Sequence, residues 1–130
     1  MKRRFITGLK NNSSICKLEL EECDVSESGP GYDILNAFKE RKSKLTKLFL
    51  TRCEVGDGGA VVSLLRNCMN LKMLKLVACG VDNAMLAKVV AAIRGKRELK
   101  KMCLNMNSIE GLAGCKLLAD LLQDPQWQPN

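Results

Sequence analysis

The amino-acid sequence predicts an α/β solenoid, in which short parallel strands form one side of the protein and helices form the other. A leucine-containing segment recurs four times within the 130 residues, and each copy precedes apolar residues at helical spacing. One short strand and one helix cannot bury enough apolar surface alone, so such units must stack on one another. We therefore predict a single domain across residues 1–130, built from four strand–helix units.

The strands are predicted from a shared pattern, L-x-x-L-x-L-x-x-C/N-x-L/V/I. Its four copies begin at Ile15, Leu45, Leu71 and Leu99, so successive units are offset by 30, 26 and 28 residues. Successive side chains of a strand point to opposite faces of the sheet. The apolar residues at the fourth and sixth positions are therefore expected in the core, and the residues between them are expected to face solvent.

Apolar residues spaced three and four apart follow each strand segment, and this spacing places them on one face of a helix. The four predicted faces consist of Ile34, Leu35 and Phe38; of Val61, Leu64, Leu65 and Cys68; of Leu86, Val89, Val90 and Ile93; and of Cys115, Leu118, Ala119 and Leu122. We expect Asp57 and Asp82 to cap the N-termini of the second and third helices. Gly95 follows the third helix, where a left-handed residue ends many helices.

This pattern resembles the ribonuclease-inhibitor-like class of leucine-rich repeats, whose units have about 28 residues and carry a full helix. The class includes the ribonuclease inhibitor, the sensor regions of NACHT-type immune receptors and the Ran GTPase-activating proteins. The resemblance extends from about Phe5 to Leu122. It implies a horseshoe with strands on the concave side and helices on the convex side, but the repeat residues are scaffold and do not identify a partner.

Composition excludes several classes of protein. The net charge is +7, histidine is absent, and the seven cysteines contain no C-x-x-C pair. A disulfide framework is not expected, because the cysteine number is odd and no apolar signal segment follows the first residues. No apolar run approaches the roughly 20 residues that span a membrane. We expect a cytoplasmic protein with reduced cysteines, without a metal ion or cofactor.

Three cysteines recur at one position of the repeat. Cys23, Cys53 and Cys79 stand where the fourth unit has Asn107. In the class that the sequence resembles, a small polar side chain at this position hydrogen-bonds the backbone of the turn after the strand. We therefore interpret these residues as a structural ladder. Cys68 and Cys115 fall on predicted helix faces and are interpreted as small core residues.

Enzymatic chemistry is not predicted. Cys103 is expected on the concave side, but a chain without histidine cannot form the common Cys-His pair. Glu19, Glu21 and Glu22 cluster on the first strand, yet no apolar pocket is predicted that would raise the pKa of one of them. We interpret this cluster as a solvated acidic patch.

The solvent-facing strand positions predict a surface for a protein partner. These residues are Lys17, Glu19, Glu21, Lys47, Phe49, Thr51, Arg52, Met73, Lys75, Val77, Lys101, Cys103, Asn105 and Met106. The first repeat is acidic, and the centre is expected to expose apolar side chains within a charged rim, as protein interfaces do. Phe49 and Met73 are the expected anchors. A charged residue at Phe49 should abolish binding and change stability by no more than about 1 kcal/mol.

Two alternatives remain open at this stage. The first is a basic rim that binds RNA or an acidic protein, although Tyr32 and Trp127 are too isolated to stack successive bases. The rim residues would be Lys39, Arg41, Lys42, Lys44, Arg94, Lys96, Arg97, Lys100 and Lys101. Most of these residues also fall at the C-terminal ends of predicted helices, where cations complement the helix dipole. The second alternative is implied by the resemblance to GTPase-activating repeat proteins, with Arg52 as the concave arginine.

The two ends of the sequence admit two interpretations. Phe5, Ile6 and Leu9 lie 29 residues before the first predicted helix face, as if they ended a helix whose strand is missing. Residues 123–130 have the composition of a loop that leads to another strand. Either the sequence is a fragment of a longer solenoid, or the first segment and Trp127 cover the ends as caps. Exposed solenoid ends would also permit self-association.

Overall fold

A computed structural model of the protein describes residues 15–27, 29–40 and 44–123. Within these ranges four strands alternate with four helices, as the repeat predicts. The elements are β1 (Lys17–Glu21), α1 (Tyr32–Glu40), β2 (Lys47–Thr51), α2 (Gly59–Asn67), β3 (Met73–Val77), α3 (Asn83–Ile93), β4 (Lys101–Cys103) and α4 (Gly111–Leu122). The predicted helix end at Phe5 to Leu9 and the predicted cap at Trp127 lie outside the described residues. The assignment of residues 1–130 to one domain stays a prediction.

The strands form one parallel sheet in the order β1-β2-β3-β4. Lys17 pairs with Lys47, Lys47 with Met73, and Met73 with Lys101, so the register follows the offsets of 30, 26 and 28 residues. Each strand therefore forms backbone hydrogen bonds with the strand of the next repeat. This confirms an α/β leucine-rich repeat solenoid, because sequential parallel strands are connected through helices on one side of the sheet.

The core lies between the sheet and the helices. Leucines at the fourth and sixth positions of the two inner repeats are fully buried, as predicted; they are Leu48, Leu50, Leu74 and Leu76. In the outer repeats Leu20, Met102 and Leu104 are only half-buried. The difference has a simple cause, since an inner repeat packs between two neighbours and an outer repeat of the described stack packs against one.

The predicted helix faces are buried in α2 and α3, and in α1 apart from the half-buried Ile34. In α4 the predicted Leu118 is half-buried against the core, but the rest of the described face is not buried. Cys115 and Ala119 are exposed, whereas Gly114 and Leu121 are buried. The buried face of α4 therefore lies about one residue earlier than predicted, and Cys115 is not a core residue. Gly114 lies on the buried side, where a Cβ atom would be 2.8 Å from Asn83 Oδ1 and 2.9 Å from Ile109 Cγ2, so a larger side chain would require these neighbours to shift.

Helix ends follow the predicted signals with one adjustment. Asp82 is the N-cap of α3, and its Oδ1 accepts a hydrogen bond from the Met85 N–H at 2.9 Å. The N-cap of α2 is Gly58, and Asp57 one residue earlier accepts a hydrogen bond from the Gly59 N–H at 2.9 Å. Gly95 has φ of 87°, the left-handed conformation predicted after α3.

A left-handed residue ends each strand segment. The eighth position of every repeat has positive φ without being glycine: Glu22 at 51°, Arg52 at 51°, Ala78 at 54° and Met106 at 62°. Left-handed conformations crowd the Cβ atom of L-residues. The chain therefore turns away from the sheet immediately after the seventh position, and the eighth side chain lies at the border of the concave face.

None of the described helices is long and apolar enough to cross a membrane. The described residues likewise contain no group of three or more His, Cys, Asp or Glu side chains that could hold a metal ion.

Candidate functional site on the concave face

The sheet gathers side chains from four separate repeats into rows on the face opposite the core. The first row contains Lys17, Lys47, Met73 and Lys101; the second contains Glu19, Phe49, Lys75 and Cys103; the third contains Glu21, Thr51 and Val77. Asn105 continues the third row, since its carbonyl accepts the Ala78 N–H at 3.0 Å. Every predicted contact residue except Phe49 is exposed or half-exposed. The period alone was sufficient to locate the strand residues among them on one face, whereas Arg52 and Met106 lie in the turns that follow.

Phe49 is covered, which corrects the expectation that it faces water. Its exposed fraction is only 8%. Lys17 Nζ lies 5.0 Å and Lys75 Nζ 4.6 Å from the centre of the ring, both within the range of cation–π attraction. The aliphatic stems of lysines often cover apolar surface in this way. A partner would meet these two ammonium groups before the ring, so Phe49 is not an accessible anchor.

The exposed apolar centre is smaller than expected. Met73 and Val77 are half-exposed on β3, and Ala78 beside them is half-exposed as well. Met106 is 81% exposed, but it lies in the turn after β4 rather than at the centre of the sheet. Met73 is therefore the central apolar side chain of the first row, flanked by lysines of the neighbouring strands.

Arg52 is engaged by two carboxylates. Its Nη2 lies 3.3 Å from Glu21 Oε1, and its Nε lies 3.4 Å from Glu22 Oε1. Such exposed ion pairs contribute only about 0–1 kcal/mol to stability. The opposite charges nevertheless offset one another, so Arg52 of the second repeat partly neutralises the acidic patch of the first repeat. This arginine is not a free cation on the concave face.

The two edges of the sheet carry opposite charge. At the edge where the strands begin, which we call the basic edge, lie Lys44, Lys47, Lys72, Arg97, Lys100 and Lys101, with the exposed carboxylate of Glu98 among them. At the edge where the strands end, which we call the acidic edge, lie Glu22, Glu27, Glu54, Asp57, Asp82 and Glu110, with the cation of Arg52 among them. Helices end near the first edge and begin near the second, so the helix dipoles favour this separation.

One residue predicted for the basic rim does not belong to it. Lys96 is only 6% exposed. Burial lowers the pKa of its ammonium group below the ordinary value of 10.5, because the charged form loses hydration, while Cys68 nearby has the opposite, smaller effect. Arg41, Lys42 and the side chain of Lys39 lie outside the described residues.

The ladder predicted from the recurring cysteines is confirmed at Cys53, Cys79 and Asn107. Cys53 Sγ donates to the Leu20 carbonyl and Cys79 Sγ to the Leu50 carbonyl, each at 3.4 Å. Asn107 takes the same position in the fourth repeat. Burial raises the pKa of the Cys79 thiol above its ordinary value of 9.0. A protonated, buried thiol that bonds backbone is structural, and it is a poor nucleophile.

Two ribonuclease inhibitors are similar to this chain in sequence. The chain is 35% identical to the ribonuclease inhibitor of Mus musculus over 112 residues, which cover 84% of the chain and 24% of the mouse protein. It is 30% identical to the ribonuclease inhibitor of Sus scrofa over 127 residues, which cover 95% of the chain and 27% of that protein. The chain thus spans about a quarter of the length of these relatives. No protein-family model matches it.

The fold also has a counterpart among solved structures. The C-terminal domain of tropomodulin from Caenorhabditis elegans superimposes with a TM-score of 0.67 at 8% identity, covering 95% of this chain and 92% of that one. At that identity the likeness concerns the fold alone. The repeat pattern, the sheet register, the polar ladder and the related sequences agree: the chain is a leucine-rich repeat protein of the ribonuclease-inhibitor-like class.

Proposed function

We propose that the protein is a non-catalytic binding module that recognises another protein with the concave face of its sheet. The observation that carries the proposal is the register, which aligns solvent-facing side chains of four repeats in rows on one surface. A sheet backed by a continuous core holds the Cα atoms of these residues in fixed relative positions. A backbone that is ordered before binding loses less conformational entropy when a partner binds, which favours affinity.

The related sequences support a protein partner. By their names, the relatives in Mus musculus and Sus scrofa inhibit a ribonuclease, which is itself a protein. The chain covers only about a quarter of each, so we carry over the mode of action and not the ribonuclease. A direct inhibition assay against a ribonuclease would test the narrower possibility.

The GTPase-regulator alternative receives less support. It needs an arginine directed at a bound nucleotide, and the side chain of the concave candidate Arg52 is instead directed at Glu21 and Glu22. Binding without catalysis requires no such freedom. The paired carboxylates and the arginine would instead contribute to the polar rim of an interface.

Charge substitution on the concave face tests the proposal. Met73→Glu and Val77→Glu place a carboxylate at half-exposed positions of β3, and Ala91→Glu places the same charge on the exposed side of α3 as a matched control. Proteins captured from native lysate by wild-type protein would be identified by mass spectrometry, produced separately and titrated against each variant. We expect the two β3 variants to weaken binding at least tenfold, about 1.4 kcal/mol, and Ala91→Glu to leave it unchanged.

Two outcomes would contradict the proposal. Equal weakening by Ala91→Glu would place the contact surface on the helices or show a general effect of charge. Full binding by both β3 variants would remove the concave face from the interface. If the captured protein is a second copy of this chain, the face would serve self-association, and sedimentation velocity of the same variants would measure it.

A further inference from the structure

We propose that the partner of the concave face presents an acidic, extended protein segment, which lies along the basic edge and places one apolar side chain against Met73. The inference rests on the proposed function, since it names the kind of partner that the same face would bind. It is argued from the charges that remain uncompensated on this surface, from their spacing and from the covering of Phe49.

The basic edge carries positive charge that the described residues do not neutralise. Lys17 lies 3.9 Å from Glu19 Oε1, and Arg52 pairs with two glutamates. Within the described ranges, by contrast, no ion pair joins a carboxylate to Lys47, Lys72 or Lys101. Six cations against the one exposed carboxylate of Glu98 leave this edge with a net positive charge, which attracts an anionic partner and orients it before contact.

The spacing of these cations suits an extended segment. Lys47, Met73 and Lys101 are register partners on three adjacent strands, and neighbouring strands lie about 4.8 Å apart, so the first and last Cα atoms are within roughly 10 Å. In an extended peptide, side chains on one face recur about every 6.8 Å. Carboxylates on either side of one apolar residue can therefore reach the two lysines while the apolar side chain contacts Met73.

Phe49 decides between an acidic protein and single-stranded RNA. Proteins that bind single strands stack bases on accessible aromatic rings. The ring of Phe49 is only 8% exposed and lies beneath Lys17 and Lys75, so no base can stack on it without displacing both lysines. The ring instead holds the Lys75 ammonium over the centre of the sheet, where it adds to the charge of the first row. These features favour carboxylates of a protein as the ligand.

The acidic edge restricts where such a segment can lie. Its exposed carboxylates line the side of the sheet where the strands end, and like charges placed against one another oppose binding. An acidic segment is therefore attracted to one edge and repelled by the other. This polarity fixes both the position and the preferred side of approach.

Defined peptides test the inference with the whole chain. The probe is a fluorescent peptide of about ten residues, long enough to span roughly 33 Å when extended, with Glu and Asp around one central Leu. Comparison probes replace Leu by Ser or consist of oligouridine RNA. The variants are Lys47→Glu and Lys101→Glu, and Lys116→Glu on the exposed surface of α4 is the matched control. Circular dichroism would verify that each exposed-site variant folds.

We expect either basic-edge substitution to weaken binding of the Leu peptide roughly tenfold or more, and Lys116→Glu to change it less than about twofold. We also expect the Ser peptide to bind more weakly than the Leu peptide, and Met73→Ser to abolish that difference. Equal losses in all three charge variants would overturn the inference, because they would show attraction to net charge alone. Tighter binding of RNA than of the peptide would overturn it in favour of a nucleic-acid ligand.

Failure of this inference is distinguishable from failure of the proposed function. If the peptides do not bind while Met73→Glu still releases captured protein and Ala91→Glu does not, the face binds proteins that are not recognised through acidity. If Met73→Glu does not weaken binding of captured protein and the peptides do not bind, both proposals are wrong.

Discussion

The side-chain oxygen of Asn107 accepts a hydrogen bond from the backbone N–H of Cys79, which lies one repeat earlier, at 2.9 Å. The same oxygen also accepts a hydrogen bond from the Val81 N–H at 3.1 Å. The side-chain amide nitrogen of Asn107 donates to the Leu104 carbonyl at 2.9 Å and to the Leu76 carbonyl. One side chain thus satisfies backbone groups of both the third and the fourth repeat. It links the last described strand to the rest of the stack.

Replacement of Asn107 should therefore be costly. We expect Asn107→Ala to lower the free energy of unfolding by about 1–3 kcal/mol, because partly buried backbone groups would lose their partners. Asn105→Ala is the matched control, since the Asn105 side chain is exposed and should change stability by no more than about 0.5 kcal/mol. Urea denaturation followed by circular dichroism would measure both. Equal stabilities of the two variants would contradict the structural role of the ladder.

Phe49 should contribute to stability although it lies on the solvent-facing side of the sheet. We expect Phe49→Ala to lower the free energy of unfolding by about 1.5–3 kcal/mol, since it removes a largely buried ring and the surface on which Lys17 and Lys75 pack. Met106→Ala removes a largely exposed side chain and should have an effect near zero. A change at Phe49 as small as that at Met106 would restore the original expectation of an exposed anchor.

Ala78 adopts φ of 54°, a conformation that disfavours a Cβ atom. We expect Ala78→Gly to raise the free energy of unfolding by roughly 0.5–1 kcal/mol. The free energy gained by removing the crowded Cβ atom exceeds the free-energy cost of the greater conformational entropy that glycine gives the unfolded chain. Ala92→Gly makes the same chemical change within helix α3 and should lower the free energy of unfolding by about 1 kcal/mol. Opposite signs in thermal unfolding would support the conformational explanation, and a loss at both positions would contradict it.

Burial of Lys96 should make stability depend on pH. Its pKa is lowered on folding, so between the folded value and 10.5 the unfolded chain binds a proton that the folded protein does not. Stability then rises with pH through this window, and the cost of the buried charge is fully present below it. We expect Lys96→Met to be more stable than wild type near pH 7 and the difference to shrink as pH approaches 10.5.

The pH series also contains an opposing contribution. The pKa of Cys79 is raised, so above 9.0 the unfolded thiol loses its proton before the folded one and stability falls with increasing pH. Wild type and Lys96→Met both retain Cys79, so the difference between their free energies of unfolding reports the contribution of Lys96 alone. Urea midpoints at several pH values between 7 and 10 provide the measurement. A difference that is constant over this range would show that the buried lysine has an ordinary pKa.

Much of the molecule follows from local periodicity. The offsets between Ile15, Leu45, Leu71 and Leu99 were sufficient to predict the register, because a parallel sheet of stacked repeats pairs equivalent positions. The core leucines followed for the same reason, whereas the hydrogen-bonding role of the ladder was implied by the resemblance to the repeat class. Along α4 the prediction was wrong by about one residue, since small and apolar residues occur on several sides of that helix and their spacing alone allows two neighbouring faces.

The sequence by itself determined the fold, the order of the strands and the face from which each strand side chain leaves the sheet, because these depend on the two-residue period of a strand and on the repeat length. Only the tertiary structure decided what surrounds a side chain on that face. Phe49 is covered because lysines from both adjacent strands extend over its ring, and Lys96 is buried although its neighbours Arg94 and Arg97 are exposed. Long side chains of adjacent repeats meet only after the stack has formed, and no pattern within one repeat records their conformations.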